Sequence, residues 1–334
     1  MSVDHELVAR VRALARLLRS TPVVPLELDG LRLFAKLEYC NPVGSIKDRP
    51  AYGMLRAAIE RGEIGRDTTV VESSSGNLAL ALAVLCNQLG LSFVPVIDPN
   101  ISPTLERILS GATARVVKVE QRDDTGNYLK TRLGRVRELC AATPNSFWTN
   151  QYASLDGMNA HYTLTAGEIA EQFTRLDYVF LGVSSAGTLA GVSNRLKEAF
   201  PGVQIVAVDV EGSVIFGGPP RKRYIPGIGA SQVPPLLAQA RVDDVVMVSE
   251  LETIHACREL LHRHGIFAGG STGSVYAAIK KRARALRSAT PPHVLFLCYD
   301  RGVAYLDTVY DPAWVSRTFP TKHRDSEQPE LQLA

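Results

Sequence analysis

The chain has 334 residues, 46% hydrophobic and 21% charged, values ordinary for a folded globular protein, so disorder over most of its length is excluded. That length accommodates two compact lobes or one large domain. Lys and Arg number 37 against 34 Asp and Glu, and a net charge of +3 is too small to argue for nucleic acid.

Apolar runs such as residues 78–85 fall well short of the ~20 residues that cross a bilayer, and the start of the chain does not read as a secretory leader. Lys280, Lys281, Arg282 and Arg284 crowd one helix-like stretch and read as a solvated face. Five scattered cysteines (Cys40, Cys86, Cys140, Cys257, Cys298) lack CxxC spacing. They fit a reduced cytoplasm and give no disulfide frame. The histidines show no metal-ligand spacing; His262 and His264 fall on different faces of a helix.

In chain order, residues 31–39 read as a strand, followed by the turn Asn41-Pro42-Val43-Gly44 and a helix over 45–60. A strand at 68–72, a loop at 73–76 and a long helix to 89 come next. A strand at 92–97, a helix after Ser102-Pro103, a strand at 115–119 and a helix through Arg132 follow. The second half repeats the alternation: a helix at 161–173, a buried strand at 178–183 and a loop at 184–187 that opens a helix to 200. Strands at 204–210 and 245–248, helices at 250–264 and 272–287 and a strand at 293–297 complete it. Such alternation predicts an α/β fold of two lobes, with parallel sheets flanked by helices and ligands at the carboxyl ends of the strands. Residues 316–334, polar and without apolar periodicity, read as a disordered tail.

Three loops carry chemistry. In Asn41-Pro42-Val43-Gly44-Ser45-Ile46-Lys47-Asp48-Arg49-Pro50, Lys47 falls in the first turn of a helix, where the dipole disfavours a cation and lowers its pKa. A neutral lysine suits Schiff-base chemistry, although on position alone an exposed surface lysine is the better reading. Glu72-Ser73-Ser74-Ser75-Gly76-Asn77 joins a strand to a helix and offers hydroxyls and free N–H groups to an anion, or simply caps the helix. Gly182-Val183-Ser184-Ser185-Ala186-Gly187-Thr188 does the same after a buried strand. It lacks the lysine of a P-loop and the full glycine fingerprint of a dinucleotide site, so a small phosphate monoester fits it best.

With these loops in place, residues 18–312 resemble the fold-type II pyridoxal-phosphate enzymes, the cysteine synthase and cystathionine β-synthase group. The resemblance is carried by Lys47-Asp48-Arg49-Pro50, Asn150-Gln151-Tyr152, Gly212-Ser213-Val214-Ile215-Phe216-Gly217, Pro226-Gly227-Ile228-Gly229-Ala230-Ser231 and Phe267-Ala268-Gly269-Gly270-Ser271-Thr272-Gly273-Ser274. These stretches, with Phe34-Ala35-Lys36-Leu37-Glu38-Tyr39, are most similar to a branch of the group that serves siderophore assembly.

The resemblance implies a two-lobed, tryptophan synthase β-like fold, with 1–12 and 40–150 in a smaller lobe and 13–39 and 151–315 in a larger, phosphate-binding one. It implies pyridoxal 5'-phosphate carried on Lys47, which also moves the substrate's α-proton. Asn77 is then expected on the cofactor's 3′ oxygen, and Ser73, Ser74, Ser75 and Gly76 on the substrate's α-carboxylate. Ser184, Ser185, Ala186, Gly187 and Thr188 are expected on the cofactor phosphate, with Ser185 also facing substrate. Arg132 and Tyr152 become candidates for a leaving phosphate or a distal carboxylate; without the resemblance they read as a surface arginine and a packed aromatic. The pyridine nitrogen meets either Ser271 or Asp300, which replaces the serine of many relatives, and Ser271 is favoured.

The implied reaction joins O-phospho-L-serine and L-glutamate into N-(2-amino-2-carboxyethyl)-L-glutamate and phosphate, a route to 2,3-diaminopropionate. A homodimer, a cytoplasmic location and an NAD-dependent dehydrogenase acting on the product are implied with it; no metal is expected. Two alternatives stand beside this: a cysteine synthase using sulfide, and a catalytically silent relative that binds a ligand and regulates.

Overall fold

Parallel strands need crossovers of a dozen or more residues, and helices supply most of them in this chain. The computed structural model describes residues 3–28 and 30–320. Its strands are β1 (Val23–Leu28), β2 (Leu31–Lys36), β3 (Thr69–Ser73), β4 (Ser92–Ile97), β5 (Val117–Lys118), β6 (Ser146–Trp148), β7 (Tyr178–Gly182), β8 (Gln204–Val210), β9 (Asp244–Val248) and β10 (His293–Leu297). A six-stranded sheet runs in the order β1-β2-β10-β7-β8-β9, parallel except for β1 at its edge. A four-stranded sheet, β5-β4-β3-β6, is wholly parallel.

Each sheet has its own core. Val179, Phe180 and Leu181 of β7 and Leu295, Phe296 and Leu297 of β10 are fully buried in the larger sheet, the continuous apolar run expected of strands covered on both faces. Around the smaller sheet, helices Asp48–Glu60 and Asn77–Leu89 bury Leu55, Ile59 and Leu82 together with Leu7 and Val11 of helix His5–Ala13. No helix among the described residues is long and apolar enough to cross a membrane, and no cluster of three or more His, Cys, Asp or Glu among them could hold a metal.

The α/β class and the parallel sheets agree with expectation, and several elements differ from it; strand β6 and helix His5–Ala13 had no counterpart in the sequence reading. Strand β1 went unrecognised because Pro25 interrupts it, which an edge strand tolerates. The strand expected over 31–39 stops at Lys36, since a 3-10 turn, Glu38–Cys40, swings Glu38 inward. The helix expected from 45 begins at Asp48, because Ser45 bridges to Asp300. The helix expected over 161–173 is three pieces, Leu155–Ala160, a π-turn His161–Thr165 and Ala166–Gln172. Of the expected tail, residues 316–318 close helix Pro312–Thr318, and residues from 321 onward lie outside the described residues.

The segment bearing Lys47 is braced by buried charge. Lys36, Glu38 and Arg49 are 0% exposed. Arg49 Nε donates to Glu38 Oε2 at 2.7 Å, and its two terminal nitrogens fork onto Glu168 at 2.7 and 2.8 Å. Lys36 Nζ donates to Glu168 Oε2 at 2.8 Å, to Gln172 at 2.9 Å and to the Thr21 carbonyl at 3.2 Å. Two cations and two anions thus close into a neutral set joining β2, the Lys47 helix and helix Ala166–Gln172. Burying such charges is costly, and removing one member strands the others.

Arg49→Met is expected to lower the unfolding free energy by about 3–5 kcal/mol in urea titration; a loss below about 1 kcal/mol would show that the cluster is solvated. Asp48, 2% exposed, has its carboxyl pushed up to about 7 by burial, against the Val43 N–H that donates to it at 2.6 Å. The folded state therefore holds a proton that the unfolded chain releases near pH 4. This stabilisation is complete below pH 4 and is lost as pH rises towards 7, by up to about 4 kcal/mol. Asp48→Asn should flatten that part of the stability curve, and parallel curves for the two proteins would refute the assignment.

Candidate active site

Four of the segments singled out in the sequence leave the carboxyl ends of β2, β3, β7 and β10. In open parallel sheets these ends are where ligands bind. Lys47 occupies the cap position of helix Asp48–Glu60. Burial pulls its ammonium below the ordinary lysine range, a cause that adds to the helix dipole inferred from sequence, with Asp300 pulling back. Lys47 lines a small cavity of about 20 Å³ with Ser185, Gly187, His161 and Gln151. The amine and the phosphate-loop candidates, some 140 residues apart in sequence, therefore share one chamber.

The loop after β7 fits a phosphate. Ala186 has φ 63°, in the left-handed region, and caps helix Gly187–Ala199, whose first-turn N–H groups have no intrahelical acceptor. Thr188 Oγ1 lies 3.2 Å from His161 Nε2, and His161 Nδ1 lies 3.0 Å from Thr165 Oγ1. Burial first, then the charges of Lys47 and Arg49, hold the His161 imidazole well below its usual range, so it is neutral. The π-turn that carries it is accommodated by Gly191, where a Cβ would run into the Met158 carbonyl and the His161 side chain. Ser184 Oγ donates to the Gly229 carbonyl at 3.2 Å, joining this loop to the glycine-rich turn 226–231.

The three serines after β3 have separate surroundings. Ser73 Oγ is buried without a partner. Ser74 Oγ accepts from the N–H groups of Gly76 (3.4 Å) and Ala79 (3.3 Å) and so caps helix Asn77–Leu89. Ser75 Oγ donates to Asp98 Oδ2 at 3.0 Å and accepts from Arg132 Nη1 at 3.3 Å. Glu72, fully buried before them, is pushed up to about 7 by burial; Thr149 donates to it at 2.5 Å. Gln151 Nε2 donates to the Ser73 carbonyl at 3.1 Å, fixing the loop from the far side.

At the end of β10, Asp300 Oδ2 accepts from Asn77 Nδ2 (2.8 Å) and Tyr305 O–H (2.9 Å), while Oδ1 is buried and unpartnered. Burial raises this carboxyl, against Asn77, Tyr305 and Lys47. Ser271 lies against the turn at Gly227, where a Cβ would sit 2.7 Å from its Oγ. Asn77 and Asp300 are thus already paired with each other.

Arg132 is no surface arginine: its side chain is 12% exposed, with Nε 3.1 Å from Asp98 Oδ2. Tyr152 follows Asn150, which has φ 47°. Burial raises its hydroxyl, and the charges of Arg132 and Arg223 act to lower it. Sequence reading missed Asp98, Gln151, His161, Tyr305 and Arg223; Asp98, Gln151 and His161 are placed by contacts between residues far apart in sequence, and Tyr305 and Arg223 by bonds five residues away that no periodicity announces. Arg49 and Glu38 did carry a local signal, a charged residue inside an otherwise strand-like or helix-start pattern.

Residues 14–299 match the family described as "Pyridoxal-phosphate dependent enzyme". The chain is 46% identical over 303 residues, 89% of each chain, to the N-(2-amino-2-carboxyethyl)-L-glutamate synthase of Ralstonia nicotianae. It is 46% identical over 304 residues, again 89% of each, to the protein of the same name from Cupriavidus metallidurans. Among solved structures, the O-acetylserine dependent cystathionine β-synthase of Helicobacter pylori superposes with a TM-score of 0.82 at 28% identity, covering 92% of this chain and 99% of that one. A partly buried lysine that shares a cavity with the loop after β7, and a family match that spans both, lead to one conclusion: this chain is an enzyme belonging to the pyridoxal-phosphate dependent family, with pyridoxal phosphate as its cofactor.

Proposed function

We propose that the chain catalyses a β-replacement joining the amine of L-glutamate to the β-carbon of O-phospho-L-serine, with release of inorganic phosphate. The observation that carries a lysine-based reaction is the single cavity lined by Lys47, Ser185, Gly187 and His161. The names of the 46% identical relatives support the choice of product.

In this reading, Lys47 holds the cofactor, Ser184 to Thr188 hold its phosphate and Asn77 takes its 3′ oxygen. Ser271 would face the ring nitrogen; Asp300, with Oδ2 held by Asn77 and Tyr305 and Oδ1 unpartnered, is the alternative. When bound, pyridoxal phosphate supplies an electron sink for bonds at the substrate's α-carbon. The protein's own part is placement and proton transfer. Burial favours the neutral Lys47 amine, which takes the α-proton and can return it. Ser73, with an unpartnered hydroxyl, together with Ser74, Ser75 and the N–H groups at Gly76, receives the substrate α-carboxylate. Neutral His161 orients the Thr188 hydroxyl without adding charge to the phosphate loop. Arg132, Tyr152 and Ser185 line the region where the leaving phosphate and the nucleophile's carboxylates are accommodated.

We place the enzyme in the cytoplasm as a homodimer, a reading that its five free cysteines and the family favour. Its product is a secondary amine, so the step that consumes it toward 2,3-diaminopropionate is an oxidation, assigned to an NAD-dependent dehydrogenase in siderophore or antibiotic synthesis.

Holoenzyme given O-phospho-L-serine and L-glutamate should release phosphate and the coupled product in equal amounts by mass spectrometry. Lys47→Ala should abolish both while keeping a wild-type unfolding temperature. Turnover with sulfide alone would instead assign a cysteine synthase, and no turnover with any nucleophile a silent relative. Gly191→Ala, which pushes on the His161 turn, should weaken cofactor affinity by about tenfold or more, read by fluorescence titration of apoprotein. Unchanged affinity would separate that turn from the phosphate loop.

A further inference from the structure

A nucleophile with two carboxylates needs positive charge that is not already balanced, and Arg132 does not provide it. Its Nε sits 3.1 Å from Asp98 Oδ2, which is 4% exposed as a residue, and its Nη1 is engaged with Ser75. Asp98 is fixed in turn, its N–H donating to Ser75 Oγ at 2.9 Å and its Oδ1 accepting from Asn100 N–H at 2.8 Å. The pair presents little net charge to a ligand.

Arg223 differs. It lies in the stretch between β8 and the glycine-rich turn 226–231, and its Nη1 donates to the Ile228 carbonyl at 2.9 Å. Its guanidinium covers Gly229, where any Cβ would run into Nη1. The same turn is fastened to the phosphate loop by Gly229 N–H on the Val183 carbonyl (2.7 Å) and by Ser184 on the Gly229 carbonyl, and it touches Ser271 through Gly227. Arg223 is therefore mounted on the backbone that borders the cofactor end of the cleft. Its Nε, like that of Arg132, is buried without a hydrogen-bond partner, but unlike Arg132 it forms no ion pair among the described residues. Of the two carboxylates whose fields reach it, Glu250 accepts from the N–H groups of Tyr224 (2.7 Å) and Ile225 (2.6 Å), while Asp209 accepts from that of Val210 through Oδ1 (2.8 Å) and keeps Oδ2 buried without a partner; neither lies within ion-pair distance of Arg223. The field of Arg223 also reaches the Tyr152 hydroxyl, on which Arg132 acts too.

We infer that Arg223 is a specificity-determining residue that binds a carboxylate of the dicarboxylic amino acid used as nucleophile, in a pocket shared with Tyr152 and Arg132. This rests on the β-replacement reading above. A guanidinium held by one terminal nitrogen keeps the rest of its fork for a carboxylate, and the unpartnered Nε is the donor that such a ligand would satisfy.

The test uses holoenzyme and two probes, L-glutamate in turnover and the unreactive dicarboxylate glutarate in calorimetry. Arg223→Gln should raise the KM for L-glutamate and the Kd for glutarate by about 10- to 100-fold. The KM for O-phospho-L-serine should stay within about twofold. The preference for L-glutamate over L-glutamine should fall with it. Arg223→Lys, which keeps the charge and loses the fork, should fall between the two and decides the matter if Arg223→Gln unfolds. Glutamate and glutarate affinities unchanged in Arg223→Lys and Arg223→Gln, or equal losses for O-phospho-L-serine, would overturn the inference. A wild-type enzyme that uses sulfide but not L-glutamate would overturn the proposed function itself, which distinguishes the two failures.

Discussion

Four fully or largely buried charges, Lys36, Glu38, Arg49 and Glu168, hold together the parts of the protein that must not move relative to one another. Arg49 is two residues beyond Lys47, Lys36 is the last residue of β2, and Glu168 lies in the helix that follows the His161 turn. Hydrophobic residues could fill that space as stably, or more so, because two desolvated ion pairs return little net free energy. What apolar side chains lack is direction. A guanidinium that bonds two carboxylates at 2.7 and 2.8 Å has one acceptable orientation, and it passes that orientation to the adjoining helix start. Arg49 itself is held protonated well above its ordinary range: Glu38 and Glu168 outweigh the burial that would lower it.

The same logic of fixed polar groups continues into the site. The loops around the cavity are tied to neighbouring elements: Ser184 to Gly229, the Ser73 carbonyl to Gln151, Asn77 to Asp300, and Thr188 to His161. A site built to work on developing charge gains from donors that need no rearrangement when the ligand arrives. The glycines where backbones approach most closely, Gly191 under the π-turn and Gly229 under Arg223, are the positions that make such ties possible.

Charge balance separates two arginines that look alike in sequence. Arg132 and Arg223 both act on Tyr152, but Arg132 carries its own buried counterion in Asp98 and Arg223 carries none within ion-pair distance among the described residues. The first is a fixed wall of the cleft; the second is a charge with donors left over. That distinction turns on a contact across more than thirty residues, from β4 to helix Leu129–Ala142.

The sequence by itself determined the α/β class, most strand and helix positions, and the three loops with Lys47, Asn77 and Ser184–Thr188, because alternating apolar periods and Gly/Ser-rich strand ends are local signals. It missed β1, whose Pro25 masks an edge strand, and the three-residue β6, too short for a period to show, and it ran β2 on through Glu38 because nothing local shows that a buried partner will turn that residue inward. Only the tertiary structure brought Lys47 and Ser185 into one cavity, paired Asn77 with Asp300, gave His161 its two hydroxyl partners and set Arg223 on the turn beside Ser271. The physical reason is the same in each case. These relations depend on which strand ends lie side by side, and in a parallel sheet neighbouring strands are joined by long crossovers, so no short stretch of sequence contains both partners.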